Sequence, residues 1–368
     1  MLTVWAVDPG RVRRGLLRDA KATVVFRDAE VGNFVVTLPN SDDLAQRLTK
    51  GWRVRLQDDE ISASGVINKV AEDDLAGTRT VSGFTDLERL KNRITYPNPA
   101  ATIPNQTADG QYRRTGPAET LIRDLVNLNV GPGALAERAY PGLAVAASQG
   151  RGKSLVVATQ WEELLEQCRK LARLGGVTFD LVQEEDWRLV FRTRVPRDLS
   201  RRVRFNTVNG GLQGGDYEIS APTATTVIAA GKGTGTYKNM REYTRASAWG
   251  ERIEQFLDQK STDDDPEILQ AATEALDEGA ETATASIEVN EVEGHRFGVD
   301  FLLGDTVAVE MGSATIAEPV RSVEVEWDGF GRTAKLSLGD YDQEVNQRNP
   351  LRKLVKKLDA RQRRNEVR

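Results

Sequence analysis

The chain has 368 residues, of which 39% are hydrophobic and 29% charged, with a net charge of −5 at pH 7. That length carries two or three domains with real cores, and the balanced charge argues against a protein built to coat nucleic acid or an anionic surface. A single cysteine, Cys168, and a single histidine, His295, exclude an internal disulfide and metal centres built on Cys or His clusters. No apolar run reaches the roughly 18 to 20 residues of a membrane span. The start, MLTVWAVDPGRVRRG, lacks the apolar segment of a signal peptide, so synthesis in a cytoplasm and no membrane binding are expected. Charge is uneven: Pro350 to Arg368 holds eight basic residues and two acids, leaving −11 on the rest.

Residues 1–96 read as a first β-barrel domain. Ala22, Val24 and Phe26 alternate with polar neighbours, and so do Phe34, Val36 and Leu38, then Trp52, Val54 and Leu56. Ser41 is an N-cap signal for a short helix over 42–49. Residues 97–200 read as an α/β insert of two helices and a β-hairpin. Its first 20 residues hold three prolines and no period. Pro117 then opens a helix with Leu121, Ile122, Leu125, Val126 and Leu128 as its stripe, stopped by Gly131-Pro132-Gly133. Thr159 to Glu162 fits a capping box before a second helix, whose stripe is Trp161, Leu164, Leu165, Cys168, Leu171 and Ala172. Val177 to Phe191 reads as the hairpin.

Residues 201–340 read as a second β-barrel domain with an inserted helix at about 265–283, capped by Asp265 with Pro266 at its first position. The clearest strand lies near its end. Val323, Val325 and Trp327 alternate with Ser322, Glu324, Glu326 and Asp328 before a turn at Asp328 to Gly331, and Ala334, Leu336 and Leu338 follow. Residues 341–368 read as a basic C-terminal helix, with Leu351, Leu354, Val355 and Leu358 on one face and Arg352, Lys353, Lys356 and Lys357 on the others. An apolar stripe so short is weak for membrane insertion, and the segment lacks aromatics for stacking bases, so docking on an acidic partner is the expectation.

Four motifs invite chemistry and fail on spacing. Gly150 to Ser154 ends like a phosphate-binding loop, but the first required glycine is Ala147 and a strand-like segment follows. Gly231-Lys-Gly-Thr-Gly235 lacks the third glycine spacing of a dinucleotide loop. Asp263 to Asp265 lacks calcium-loop spacing and suits a helix start. His295 sits in VEGHRFG with no nucleophile elbow anywhere in the chain. No catalytic, cofactor-binding or metal residue is therefore expected.

The order of GWRVRL, SGVINKV, VIAAGKGTG, ERIEQFLDQK, FLLGDTVAVEM and VRSVEVEWDGFGRTAKLSLG resembles the minor tail proteins, or baseplate hubs, of actinobacterial siphophages. That resemblance implies an α+β, β-rich fold: two small barrels of the tail-hub type, an inserted α/β module and a C-terminal helix. It implies a homotrimeric ring at the tail tip of a virion, with a channel for DNA that is not read by sequence. The implied partners are the tail tube, the distal tail protein ring, the tape-measure protein and a central fibre or spike. Some relatives continue into a lytic domain, whereas here about 28 residues follow the last strand, so lytic activity is expected to reside in another protein. Two other readings stay open on the residues: a tail-associated cell-wall hydrolase using a carboxylate pair, and a carbohydrate-binding receptor module with an aromatic groove.

Overall fold

Alternating strands need a covered face, and a computed structural model of the chain shows what covers it; the structure describes residues 2–106, 110–184, 187–208, 211–233, 238–259, 262–312, 314–328 and 331–339. The first part holds β1 (Thr3–Val7), β2 (Arg13–Leu17), β3 (Lys21–Arg27), β4 (Asn33–Pro39), α1 (Asp43–Arg47), β5 (Arg53–Gln57), β6 (Ser62–Asp73), β7 (Thr78–Thr85) and α2 (Glu88–Lys91). The insert holds β8 (Tyr112–Pro117), α3 (Ala118–Asn129), β9 (Leu143–Val145), β10 (Ser154–Thr159), α4 (Leu164–Gly175), β11 (Thr178–Gln183) and β12 (Leu189–Arg194). The remainder holds β13 (Arg204–Phe205), β14 (Leu212–Ser220), β15 (Thr226–Ala230), β16 (Met240–Thr244), β17 (Glu254–Asp258), α5 (Asp265–Glu278), β18 (Thr282–Val289), β19 (Thr306–Met311), β20 (Ala314–Trp327) and β21 (Arg332–Leu338). The fold is β-rich with few helices.

One sheet runs through both ends of the chain, in the order β14-β18-β21-β20-β3-β4-β7-β6-β5-β1-β2. The joint is β20 against β3, antiparallel from Ser322↔Arg27 to Trp327↔Ala22. The path is open among the described residues: β2 and β14 are its ends, and no pairing closes a barrel. Its inner side packs one core drawn from both parts, including Val24, Phe34, Leu56, Ile287, Val323 and Leu336. Each such side chain contributes roughly 1.5–3 kcal/mol by leaving water. Gly65 and Gly83 allow the crowding of β6 and β7 under Phe34: a Cβ on Gly83 would lie 1.8 Å from the Val66 carbonyl.

A second core lies in the insert, where α3 and α4 bury Leu121, Ile122, Leu125, Leu165 and Cys168 against β11 and β12. The insert covers the outer side of the main sheet at its N-terminal end, where Arg53 and Arg55 of β5 are buried. A third, small core belongs to residues 222–279. There α5 packs Ile268, Ala272 and Leu276 onto Val227 and Ala229 of the sheet β16-β15-β17. This unit interrupts the β14–β18 hairpin at its tip, where Ser220 pairs with Thr282.

Several expectations need correction. The cap of α1 is Asp42, not Ser41, because the Asp42 carboxylate accepts the Leu44 and Ala45 N–H groups. Thr159 does not open a capping box; it ends β10, and its buried hydroxyl meets that of Thr95 at 2.7 Å. Trp161 lies before α4 with φ 55 and is 41% exposed, packed on Tyr96 rather than on the helix core. α5 stops at Glu278, since Gly279 abuts Ala224 and the next residues enter β18. Strands β1 and β2 were not anticipated. The basic segment with Leu351, Arg352, Lys353, Leu354, Val355, Lys356, Lys357 and Leu358 lies outside the described residues.

Candidate functional site

The open surface of the main sheet is the first candidate. At the C-terminal end the outer side of β14, β18, β21 and β20 exposes a group of acidic side chains, while Ser322 on β20 is buried. Register places Asp216 and Glu218 beside Ser286 and Thr284, and Glu288 and Glu324 on either side of Lys335, with Glu326 beside Thr333. All five carboxylates are exposed, with Lys335 exposed among them. Strand alternation makes this surface acidic: the same residues that bury Val323 and Val325 must turn Glu324 and Glu326 out. Asp328, expected on the same face, instead accepts the Gly331 N–H in the turn.

Buried carboxylates are the second candidate, since a hydrolase would draw its acid and base from them. Asp58, Glu60 and Glu291 converge on Arg332, at 3.2, 2.9 and 2.7 Å. Burial raises the Glu291 carboxyl against the pull of Arg332. Burial would raise Asp58 too, but the Ile61 and Glu60 N–H groups, the Trp327 indole and Arg332 bring it below its usual value. Two carboxylates pushed apart are what acid–base chemistry uses. Here the Arg332 guanidinium lies between them and bonds to both, filling the space a scissile bond would need.

The remaining buried acids hold the parts of the fold together. Asp86 takes Arg53 at 2.7 Å and the Ser64 hydroxyl at 2.5 Å, while Arg53 also reaches Tyr140 of the insert at 3.0 Å. Asp305, fully buried, takes Arg194 and Arg197, both at 2.7 Å. Asp28 takes Arg321 at 2.8 Å and the Thr178 hydroxyl.

Each sequence motif has a structural occupant. In Gly150 to Ser154, Arg151 turns inward onto Glu119 at 2.7 Å, and the Gln149 and Arg151 N–H groups bond the same carboxylate. The first N–H groups of α3, on Ala118 and Glu119, donate to the Lys153 and Arg151 carbonyls, so the donors a phosphate would use are taken. Burial works to raise Glu119, but the bonds from Arg151 and Thr193 outweigh it and hold the group far below its usual range. His295 Nε2 lies 2.9 Å from the Arg204 carbonyl, with its ring edge-on to Phe205. Asp264 and Asp265 diverge to Arg113 and Arg241. Of the glycine loop after β15, residues 234–237 lie outside the described residues. Among the described residues no three His, Cys, Asp or Glu side chains are grouped to hold a metal ion. No described helix is long and apolar enough to cross a membrane.

A cavity of about 480 Å³ lies where the end of β3, the start of β6, the β11–β12 hairpin and residues 297–303 meet. Phe26, Ile61, Leu181 and Phe297 line it, with Asp180 beside its cross-strand neighbour Arg192. Asp180 opens to the cavity, yet crowding by the surrounding protein pushes its carboxyl up to about 6 against Arg192 and Arg194. Contact with cavity solvent softens that shift. Sequence reasoning had no means of finding this cavity, because four distant segments form it.

Residues 1–340 match the model of a family described as Siphovirus ReqiPepy6 Gp37-like protein. The fold is similar to the 43 kDa tail protein of prophage MuSo2 from Shewanella oneidensis, at 14% identity and a TM-score of 0.58, covering 91% of this chain and 98% of that one. It is similar to prophage tail protein gp18 from Listeria monocytogenes EGD-e, at 12% identity and a TM-score of 0.59, covering 96% and 99%. A chain of the Francisella PdpA-VgrG complex shares 8% identity and a TM-score of 0.50, covering 93% of this chain and 58% of that one. No curated protein sequence matches significantly.

Proposed function

We propose that this chain, which belongs to the Siphovirus ReqiPepy6 Gp37-like protein family, is a structural, non-enzymatic protein of a phage tail tip or baseplate, acting as its hub. The observation that carries this is the fold: two prophage tail proteins share it over 91% and 96% of the chain. In this reading residues 1–96 and 201–340 act as two barrel-like halves flanking the insert at 97–200. Three copies form a ring with pseudo-sixfold character between the sixfold tail tube with its distal ring and a central spike or fibre. The fold is also similar to that of a chain found in a complex with other proteins, the Francisella PdpA-VgrG complex, in keeping with a role inside an assembly. The tape-measure protein and DNA pass through the ring, and the basic segment at 341–368, with Leu351 to Leu358, docks on a neighbour.

The acidic outer side around Glu288, Glu324 and Glu326 suits a bore through which DNA slides without adhering. Immunogold labelling of particles with an antibody against this chain tests the location. Label confined to the tail tip is expected; label on the head, or none on the particle, overturns the reading. The purified chain is expected to clear no peptidoglycan in a zymogram, and clearing would refute its non-enzymatic part.

A further inference from the structure

The main sheet ends in two edges that differ in charge. Among the described residues no strand pairs with the outer side of β2 or β14, although α1 adjoins β2 and the Arg18 N–H at its end donates to the Asp42 carboxylate. Such an edge is a row of unpaired N–H and C=O groups ready to pair with another chain. The unit at 222–279 enters the chain beyond Ser220, at the tip of the β14–β18 hairpin. β14 exposes Asp216 and Glu218, and neither forms an ion pair among the described residues. It also exposes Tyr217 and Ile219, at 45% and 53%. These two share the core side of the sheet with Ala285 and Ala283, so the core, which takes Leu212 at the start of β14, does not reach this end of the strand.

β2 and its flanks carry the opposite charge. Arg11, Arg13, Arg14 and Arg18 are all exposed. Arg14 is engaged by Asp8 and Arg11 by the Pro141 carbonyl. Arg13 lies over the Trp5 ring at 4.2 Å, and neither Arg13 nor Arg18 forms an ion pair among the described residues. Val12 and Leu16 are exposed beside them, at 51% and 45%.

We infer that β14 of one copy docks against β2 of the next. Two β2 edges repel through their arginines, and two β14 edges through their carboxylates, so only the unlike pair is attractive. A contact between unlike patches is head-to-tail, and head-to-tail contacts build a ring where the rotation between copies closes and a filament where it does not. The apolar side chains at both edges gain the cover their own chain does not supply. This inference rests on the ring reading above and names the contact that builds it.

The test is the mass of the full chain in solution over a concentration series. Asp216→Lys with Glu218→Lys, and separately Arg13→Glu with Arg18→Glu, are each expected to weaken self-association at least about tenfold. The variant with all four changes restores opposite charges and is expected to reassociate within a few-fold of the wild type. Hydrogen exchange on the wild-type chain reads the same contact without substitutions: protection of 13–17 and 212–220 should rise together with concentration. Association of wild-type strength in both edge variants, with exchange at both edges unchanged, overturns the edge assignment and leaves the ring reading standing. Protection rising at β14 alone also overturns it and points to the basic segment at 350–368 as the occupant. A wild-type chain monomeric at every concentration, with concentration-independent exchange, overturns assignment and ring together.

Discussion

Where the insert meets the main sheet, charges are buried: Arg53 on Asp86 beneath Tyr140 of the insert, and Arg194 of the insert on Asp305. Against the unit at 222–279, the insert leaves them in water: Arg113 meets Asp264, and Lys170 meets Glu274, both at 2.8 Å. Gln270 adds a link to the backbone there, its amide pairing with both backbone groups of Val156 at 2.9 and 3.0 Å. The first interface is expensive to disturb, because removing one partner strands a buried charge. The second is screened by salt and holds loosely. The insert and main sheet should therefore behave as one rigid unit, with residues 222–279 as its adjustable appendage.

Four substitutions probe that contrast, in falling order of effect. Asp86→Ala strands Arg53 and is expected to cost about 3–5 kcal/mol in denaturant unfolding. A loss under about 1 kcal/mol would show that this buried pair does not hold the face on which Tyr140 of the insert rests. Glu119→Gln, inside the insert, should cost about 3 kcal/mol at neutral pH. The folded Glu119 carboxyl is lowered, so its stability is full above the usual value near 4.5 and lost as pH falls towards the folded value. The variant should lose that part of the acid dependence in thermal melts. Lys170→Ala should cost about 0–1 kcal/mol and speed amide exchange in α5 selectively, with the difference shrinking in high salt. The smallest effect is at Asp180. Its carboxyl is raised to about 6, so the stability it contributes is full below its usual value near 3.8 and falls as pH rises through about 6. Asp180→Asn should flatten the dependence of melting temperature on pH across that window.

What the sequence made legible was whatever a local period carries. The alternation of Val323, Val325 and Trp327 against Glu324 and Glu326 is the observed inside and outside of β20. The stripe of α4 is buried from Leu164 to Ala172, with Gly176 as its left-handed cap at φ 68. The pairing of β20 with β3, nearly 300 residues earlier in the chain, has no local signature, and it turns two strand groups into one sheet. β2 was missed because Arg13-Arg14-Gly15 has no alternation, its register being broken by a bulge opposite Ala6 and Val7. α5 was drawn too long because Ala280 to Ala283 favours a helix as readily as a strand; the closeness of Ala224 to Gly279 decides it. The arginine–carboxylate joints were invisible for the same reason as the sheet, since Arg194 and Asp305 are 111 residues apart.

The acidic side of the sheet ties fold to function most directly, and its direction in the particle is the decisive observable. An electron cryo-microscopy reconstruction of the tail tip, at a resolution that traces strands, places β14, β18, β20 and β21 relative to the axis. Three copies are expected around that axis, with Glu288, Glu324 and Glu326 facing the bore. Copies displaced onto peripheral fibres, or a bore lined by a neutral or basic surface with these glutamates turned outward, would contradict that arrangement.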